Sequence, residues 1–142
     1  MKWQHALVLI VLCFTSFTAM CKNPVLKNTS WVAVQEMFVA DVGTMTITHT
    51  LEFVSDKDVV IREVTVMPSH PAMYVNPDGT IDTIQGWTNE REEKGTYSYK
   101  KGILTLTEED GDSRVYFYQS DGTFTFEDSI LRETVVFSRK QD

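Results

Sequence analysis

The residue best placed to do chemistry in this sequence is His49. Residues 44–54 alternate polar and apolar side chains, which is typical of a β-strand with one face toward water. His49 shares the parity of the apolar residues, so we expect it to point inward. It is either a polar contact for a ligand inside a cavity, or a core histidine whose ring is satisfied by Tyr97, Tyr99 or a backbone carbonyl.

Arg62 and Glu63 form the second unusual pair. They are neighbours in the predicted strand 59–67, so alternation sends one of them inward. A buried charge must be paired or hydrated, and in a barrel mouth it would suit an amphipathic ligand with an opposite head group. The alternative is a bulge that turns both side chains outward, because residues 59–61 already break the alternation.

Four tyrosines, Tyr97, Tyr99, Tyr116 and Tyr118, could form one wall of the interior. In small barrels such rings fill the core more often than they hold a ligand. The predicted ligand-binding residues are His49, Arg62, Tyr97, Tyr99 and Tyr116.

We expect no enzyme, no metal site and no cofactor. Only His49 and His70 lie outside the N-terminal segment, too few for a zinc site without further ligands at a recognisable spacing. The acidic turn 108–112 lacks the spaced ligands of a calcium loop. Signatures of serine nucleophiles, phosphate loops, metalloproteases and paired cysteines are missing as well. An inward carboxylate sharing an open pocket with His49 would revive the catalytic hypothesis.

The elements that must position these residues are short alternating segments, each stopped by a polar or glycine turn. They predict an all-β fold, an eight-stranded antiparallel up-and-down barrel, because short connections favour pairing between successive strands. Eight strands enclose either side chains or one small ligand. The predicted strands are residues 30–36, 44–54, 59–67, 96–100, 103–107, 114–119, 123–126 and 133–139.

Residues 68–94 are predicted to be the longest irregular region, since three prolines interrupt the pattern there. Asn-Pro-Asp-Gly at 76–79 is a strong turn signal, and it favours a small hairpin of 73–75 against 80–84. The charged run 90–94 is expected to be solvated.

The N-terminal segment is predicted to be a signal peptide over residues 1–21, followed by a tether at 22–29 and the barrel domain at 30–140. Lys2 provides a positive start and residues 6–12 are uninterrupted apolar side chains. The segment is short for a membrane-spanning helix, although a retained membrane anchor is the alternative.

Residues 17–21, Phe-Thr-Ala-Met-Cys, resemble the lipobox of bacterial lipoproteins. The resemblance implies that Cys21 is the lipid attachment site. Cleavage after Cys21 would instead release a soluble protein. We therefore expect an exported protein, either an outer-membrane or periplasmic lipoprotein or a secreted one, that meets a membrane only through a lipid anchor.

Composition limits the partners. The chain has 142 residues, enough for one domain, and a formal net charge of −7, which disfavours nucleic acid and anionic lipid headgroups as partners. The two cysteines, Cys13 and Cys21, both lie in or beside the leader, so an internal disulfide in the barrel is excluded.

Short motifs also resemble those of a known family. Residues 28–31, Asn-Thr-Ser-Trp, look like the Gly-x-Trp opening of lipocalins and related calycins, and residues 137–139 resemble their terminal strand. The segments 95–99 and 103–107 are similar to those of small bacterial lipocalin-like lipoproteins. The resemblance implies that Arg139 packs over Trp31 and closes one end of the barrel.

The resulting prediction is an exported lipocalin-like barrel that binds a small hydrophobic or amphipathic molecule. The alternative is an envelope structural or protein-interaction module, in which the interior is filled, no small molecule binds, and residues 68–94 contact an envelope protein. A cavity would favour the first hypothesis, and inward aromatic side chains at every layer would favour the second.

Overall fold

The computed structural model describes residues 23–141, and these residues form ten β-strands and no helix. The predicted signal peptide, with Cys21, lies outside the described residues. The strands are β1 (Thr29–Val39), β2 (Gly43–Phe53), β3 (Asp58–Met67), β4 (His70–Pro71), β5 (Thr83–Ile84), β6 (Trp87–Lys100), β7 (Ile103–Glu108), β8 (Ser113–Tyr118), β9 (Phe124–Asp128) and β10 (Glu133–Arg139).

Eight of these strands close into a barrel, in the order β1-β10-β9-β8-β7-β6-β3-β2. All neighbouring strands in the barrel are antiparallel. The two remaining strands, β4 and β5, pair with each other as a separate hairpin inserted between β3 and β6. The predicted all-β fold, an eight-stranded antiparallel up-and-down barrel, is therefore confirmed.

The register of β1, β2 and β3 brings polar side chains together inside the barrel. His49 on β2 lies opposite Ala33 on β1 and opposite Glu63 on β3. Glu63 in turn lies opposite Arg91 on β6. Directly opposed residues of antiparallel strands share a face, so these residues form a row on the inner side of the sheet.

The predicted irregular region was wrong from residue 87 onward, because β6 begins at Trp87 and pairs with β3 from Met67↔Trp87 to Asp58↔Thr96. The charged run 90–94 is therefore part of a strand. Alternation persists there among charged residues: Glu92 lies outside the barrel beside Arg62, while Glu93 is half-buried. A pattern based on apolar residues could not detect a strand of this composition.

The predicted hairpin within residues 68–94 exists with different bounds. Its strands are β4 and β5, with His70 opposite Ile84, rather than 73–75 against 80–84. The predicted turn at 76–79 is confirmed, since the Asn76 backbone N–H donates to the Thr80 carbonyl at 2.7 Å and the Gly79 N–H donates to the Asn76 carbonyl at 2.9 Å.

The barrel has two unlike ends. The filled end is the end at which the chain enters β1 and at which the turns 54–57, 101–102 and 119–123 lie; the cavity end carries the turns 40–42, 109–112 and 129–132. Aromatic rings pack the filled end. Trp31 meets Phe124 edge-on with ring centroids 4.8 Å apart, and Phe53 meets Tyr97 at 4.7 Å. Edge-to-face contacts of this kind stabilise a core beyond the area that they bury.

The predicted tether, residues 22–29, contributes to the core over the part that the structure describes. Leu26 is buried in the main hydrophobic cluster, and the Asn28 backbone N–H donates to the Phe53 carbonyl at 2.7 Å. Thr29 already belongs to β1. The chain therefore seals the filled end from below as it approaches the first strand.

Candidate ligand-binding site

A cavity of about 450 Å³ occupies the cavity end of the barrel. It combines apolar and aromatic side chains with a few polar ones, which is the usual composition of a small-molecule site. Its lining residues are Gln35, Met37, Met45, Ile47, His49, Glu63, Arg114, Tyr116, Phe126, Asp128, Ser129, Ile130, Leu131, Val135 and Phe137.

Strand alternation explains how β1 and β2 supply their share of this lining. Inward positions near the filled end are occupied by large core residues such as Trp31 and Leu51. The same inward face, nearer the cavity end, carries Gln35, Ile47 and His49. One strand face therefore builds the core at one end and the cavity wall at the other.

The β9–β10 loop forms a lip over the cavity. Asp128 holds this loop, since one of its carboxylate oxygens, Oδ1, accepts the backbone N–H groups of Ile130 at 2.9 Å and Leu131 at 3.1 Å. Arg132 turns the chain back with a φ of 55°. Ile130 is 89% exposed, so the lip presents apolar surface at the cavity mouth.

Tyr116 joins the aromatic core to the cavity. Its ring lies 5.2 Å from that of Phe126 and 5.5 Å from that of Phe137. Burial raises the pKa of Tyr116 to about 12, so its phenol is neutral at physiological pH. The three rings form an apolar wall with one hydroxyl group.

His49 lies between Gln35 and Glu63. Its Nε2 atom is 2.6 Å from Gln35 Oε1, and its Nδ1 atom is 3.4 Å from Glu63 Oε2. Burial lowers the pKa of His49 below its ordinary value of 6.5, which outweighs the opposing effect of Glu63. The ring is therefore neutral at pH 7. The inward carboxylate that would revive the catalytic hypothesis is thus present beside His49.

Gln35 carries an unpartnered polar group. The residue is 7% exposed, and its buried Nε2 atom has no hydrogen-bond partner within residues 23–141. A buried amide nitrogen in this state loses its hydration without compensation, which is costly. Gln35 lines the cavity, and this nitrogen lies just beneath the surface of the cavity wall.

A second polar cluster stands behind the cavity wall, around the buried Glu108. Arg114 Nη2 lies 3.0 Å from Glu108 Oε1, and Arg91 Nη2 lies 3.8 Å from Oε2. The pKa of Glu108 is raised mainly by burial, and to a smaller extent by a hydrogen bond with Glu93. The pKa of Glu93 is lowered mainly by the same hydrogen bond, and secondly by a hydrogen bond that Arg91 donates. As the pH rises, Glu108 therefore loses its proton after Glu93 does.

The structure separates the five predicted ligand-binding residues. His49 and Tyr116 line the cavity. Tyr97 lies in the filled half against Phe53, and its hydroxyl donates to the Ser55 carbonyl at 2.9 Å.

The other two predicted residues also lie away from the lining. The Tyr99 ring is 6.1 Å from that of Phe124, within the filled half. Arg62 lies on the outer face, where its guanidinium Nη2 is 2.7 Å from Glu92 Oε2. Of the neighbours Arg62 and Glu63, it is Glu63 that points inward.

Trp31 and Arg139, which the resemblance assigned to barrel closure, are directly opposed in the β1–β10 register. They therefore share a face of the sheet at the filled end. The indole is buried and donates from Nε1 to Thr29 Oγ1 at 3.0 Å, while Arg139 is exposed.

Sequence reasoning missed Gln35, Arg114 and Asp128 as lining residues. Strand alternation could have identified Gln35, because it lies two and four residues after the buried Ala33 and Trp31 and therefore shares their inward face of β1. Polar residues at inward positions near the cavity end are the ones that line the cavity.

Within residues 23–141, no group of three or more metal-binding side chains occurs. In the same part of the chain, no helix is long and apolar enough to cross a membrane.

The barrel geometry fits a calycin-like fold. Comparison of the chain with protein-family models, with curated proteins and with solved structures gave no match.

Proposed function

We propose that this protein is an exported, lipocalin-like barrel that binds one small hydrophobic or amphipathic molecule in the cavity. The observation that carries the proposal is the division of the interior, which is packed at one end and hollow at the other. A barrel serving only as a scaffold gains stability by filling its interior throughout.

The lining supports a ligand with an apolar body. Each buried methylene of a ligand contributes about 0.8 kcal/mol when it leaves water for an apolar wall. The methionines Met37 and Met45 adapt to irregular shapes, and the rings beside them add contact area. The polar residues Gln35, His49 and Glu63 lie together and would orient one polar group of the ligand.

Binding, rather than catalysis, is the function that we propose for His49. Both of its ring nitrogens already face a protein group, Gln35 on one side and Glu63 on the other. A general base needs a nitrogen within reach of a substrate proton. The histidine is better placed to fix the position of its neighbours.

Export and lipid attachment at Cys21 remain part of the proposal. They rest on the sequence of the leader.

Native mass spectrometry with lipid extraction tests the function on full-length protein recovered from a bacterial envelope. We expect a small molecule that is retained under native conditions and released on denaturation. The same spectrum shows whether Cys21 carries acyl chains or the chain begins at Lys22.

A matched pair of variants ties such a molecule to the cavity. Ile47→Trp places an indole in the cavity, whereas Thr48→Trp places the same group on the outer face of β2. We expect affinity to fall on the order of tenfold or more in the first variant and to stay unchanged in the second. Equal retention by both variants, each folded by circular dichroism, would contradict the proposal.

A second candidate function is the envelope interaction module. It is favoured by the exposed apolar side chains Met73, Tyr74 and Val75 between β4 and β5, which are 61–82% exposed. A barrel recovered without any ligand would favour this second function.

A further inference from the structure

We propose that the cavity selects an amphipathic amine, whose ammonium group lies among Gln35, Glu63 and Asp128 while its apolar body lies against the aromatic wall. This inference rests on the proposed function and deepens it by naming the ligand class.

The first argument is the balance of charge at the cavity. Three charged side chains line it, Glu63, Arg114 and Asp128. Arg114 is already paired with Glu108, at 3.0 Å. Asp128 receives only backbone N–H groups at Oδ1, and these carry no full charge. The cavity therefore holds more negative charge than its own cation balances.

Among the described residues, no lysine or arginine forms an ion pair with Glu63. Its nearest partner is His49, which is neutral at pH 7. Arg91 lies opposite Glu63 in the β3–β6 register and supports it electrostatically, but the Arg91 guanidinium is hydrogen-bonded to Glu93. An ammonium group in the cavity would supply the missing charge, and partial burial strengthens such a contact.

The second, independent argument is the unpartnered amide of Gln35. A neutral imidazole has one N–H group, and beside the Glu63 carboxylate that group belongs on Nδ1, where it donates. His49 Nε2 then accepts, and it meets the Gln35 nitrogen when the amide turns by 180°. The buried Gln35 oxygen is then the atom left unpaired, an acceptor within the cavity wall.

The polar residues of the cavity lining thus present hydrogen-bond acceptors. The Glu63 carboxylate, the second oxygen of Asp128 and the Gln35 oxygen together match the donors of an ammonium group. The rings of Tyr116, Phe126 and Phe137 add the negative faces that attract cations. A carboxylate ligand would instead meet two carboxylates and find its natural partner, Arg114, already engaged.

Three probes of equal chain length test this inference without altering the protein. Octylammonium, octanol and octanoate each contain eight carbon atoms and carry different head groups, and calorimetric titration of the full chain at pH 7 compares their affinities. We expect octylammonium to bind about tenfold or more tightly than octanol, and octanoate to bind weakest. Because the comparison uses the native chain, it does not depend on any variant folding.

Glu63→Gln removes the charge and keeps the shape, so the preference for octylammonium over octanol should shrink severalfold. Glu36→Gln makes the same change on the outer face of β1 and should leave the preference intact. Equal binding of all three probes, or preference for octanoate, overturns the inference and leaves the proposed function standing. Binding of none of them overturns both.

Discussion

At the scale of single residues, the position of each ionisable side chain relative to the barrel interior sets its charge state and its partners. His49 is kept neutral by its surroundings although a carboxylate lies beside it. Its neighbour Glu63 belongs to the same strand as Arg62, which faces outward and pairs with Glu92. Two adjacent residues of opposite charge therefore lie on opposite faces of the same sheet.

The His49 environment predicts its titration. We expect the imidazole to titrate below 6.5, because burial disfavours its charged form. Glu63→Gln should lower the pKa further, since it removes an interaction that raises it. NMR pH titration of the imidazole resonances measures both, with His49→Gln to identify the signal. Glu36→Gln is the control and should leave the titration unchanged; a pKa above 6.5 in the native chain would contradict the prediction.

At the scale of elements, an aromatic cluster centred on Phe124 of β9 packs the filled end of the barrel. Phe124 is fully buried and its ring meets those of Trp31, Tyr99 and Tyr118. Aromatic side chains from three other strands, β1, β6 and β8, thus contact this one residue. This cluster fixes how the strands meet at the filled end.

Phe124→Ala is expected to destabilise the protein by about 3–5 kcal/mol, because it removes buried contacts and leaves a void. Chemical denaturation followed by circular dichroism measures the free energy of unfolding. Phe117→Ala is the matched control on β8, where the ring is 46% exposed, and we expect a small effect there. Similar losses in the two variants would show that Phe124 is not central to packing.

Elements also show what the sequence could and could not predict. Alternation along β2 identified the inward face, and with it His49 and Ile47 as residues of the interior. It failed over the first half of β6, where Arg91 and Glu93 take inward positions. Hydrophobicity does not identify such a strand. Its charged side chains are paired with charged residues on other strands, and these meet only when the barrel closes.

The residues of the candidate site were predicted less completely than the strands, because strand register and position along the barrel axis also depend on other strands. Parity favoured opposite directions for Arg62 and Glu63, with a bulge as the alternative. The choice between the two residues depends on the register of β3 against β2. Tyr97 and Tyr99 share the inward face with Tyr116, yet they lie nearer the filled end. Position along the barrel axis follows from closure of the whole sheet, not from local pattern.

At the scale of the whole molecule, the polar cluster around Glu108 links stability to pH. Glu108 is buried, and this burial raises its pKa above the ordinary value. Between the ordinary glutamate pKa of 4.5 and the raised pKa of Glu108, the folded chain therefore holds more protons at this site than the unfolded chain. The contribution of Glu108 to the free energy of unfolding falls as the pH rises through that window.

Glu108→Gln removes this contribution, because the amide cannot ionise and still donates to Glu93. We expect the stability of the native chain to decline relative to the variant as the pH rises above 4.5. The contribution of Glu93, whose lowered pKa stabilises the fold above its ordinary pKa, is kept in both proteins. Urea denaturation across this pH range measures the difference, and Glu109→Gln in the adjacent turn is the control. Parallel pH profiles for native chain and variant would contradict it.

The burial of Leu26 at the filled end has a consequence for orientation. The chain enters the barrel on the side opposite the cavity mouth, and the segment between Cys21 and Leu26 spans at most about 17 Å. If Cys21 carries the proposed lipid, the filled end faces the bilayer and the mouth faces the aqueous compartment. Such a protein would collect its ligand from solution and would not extract it from the membrane to which it is tethered.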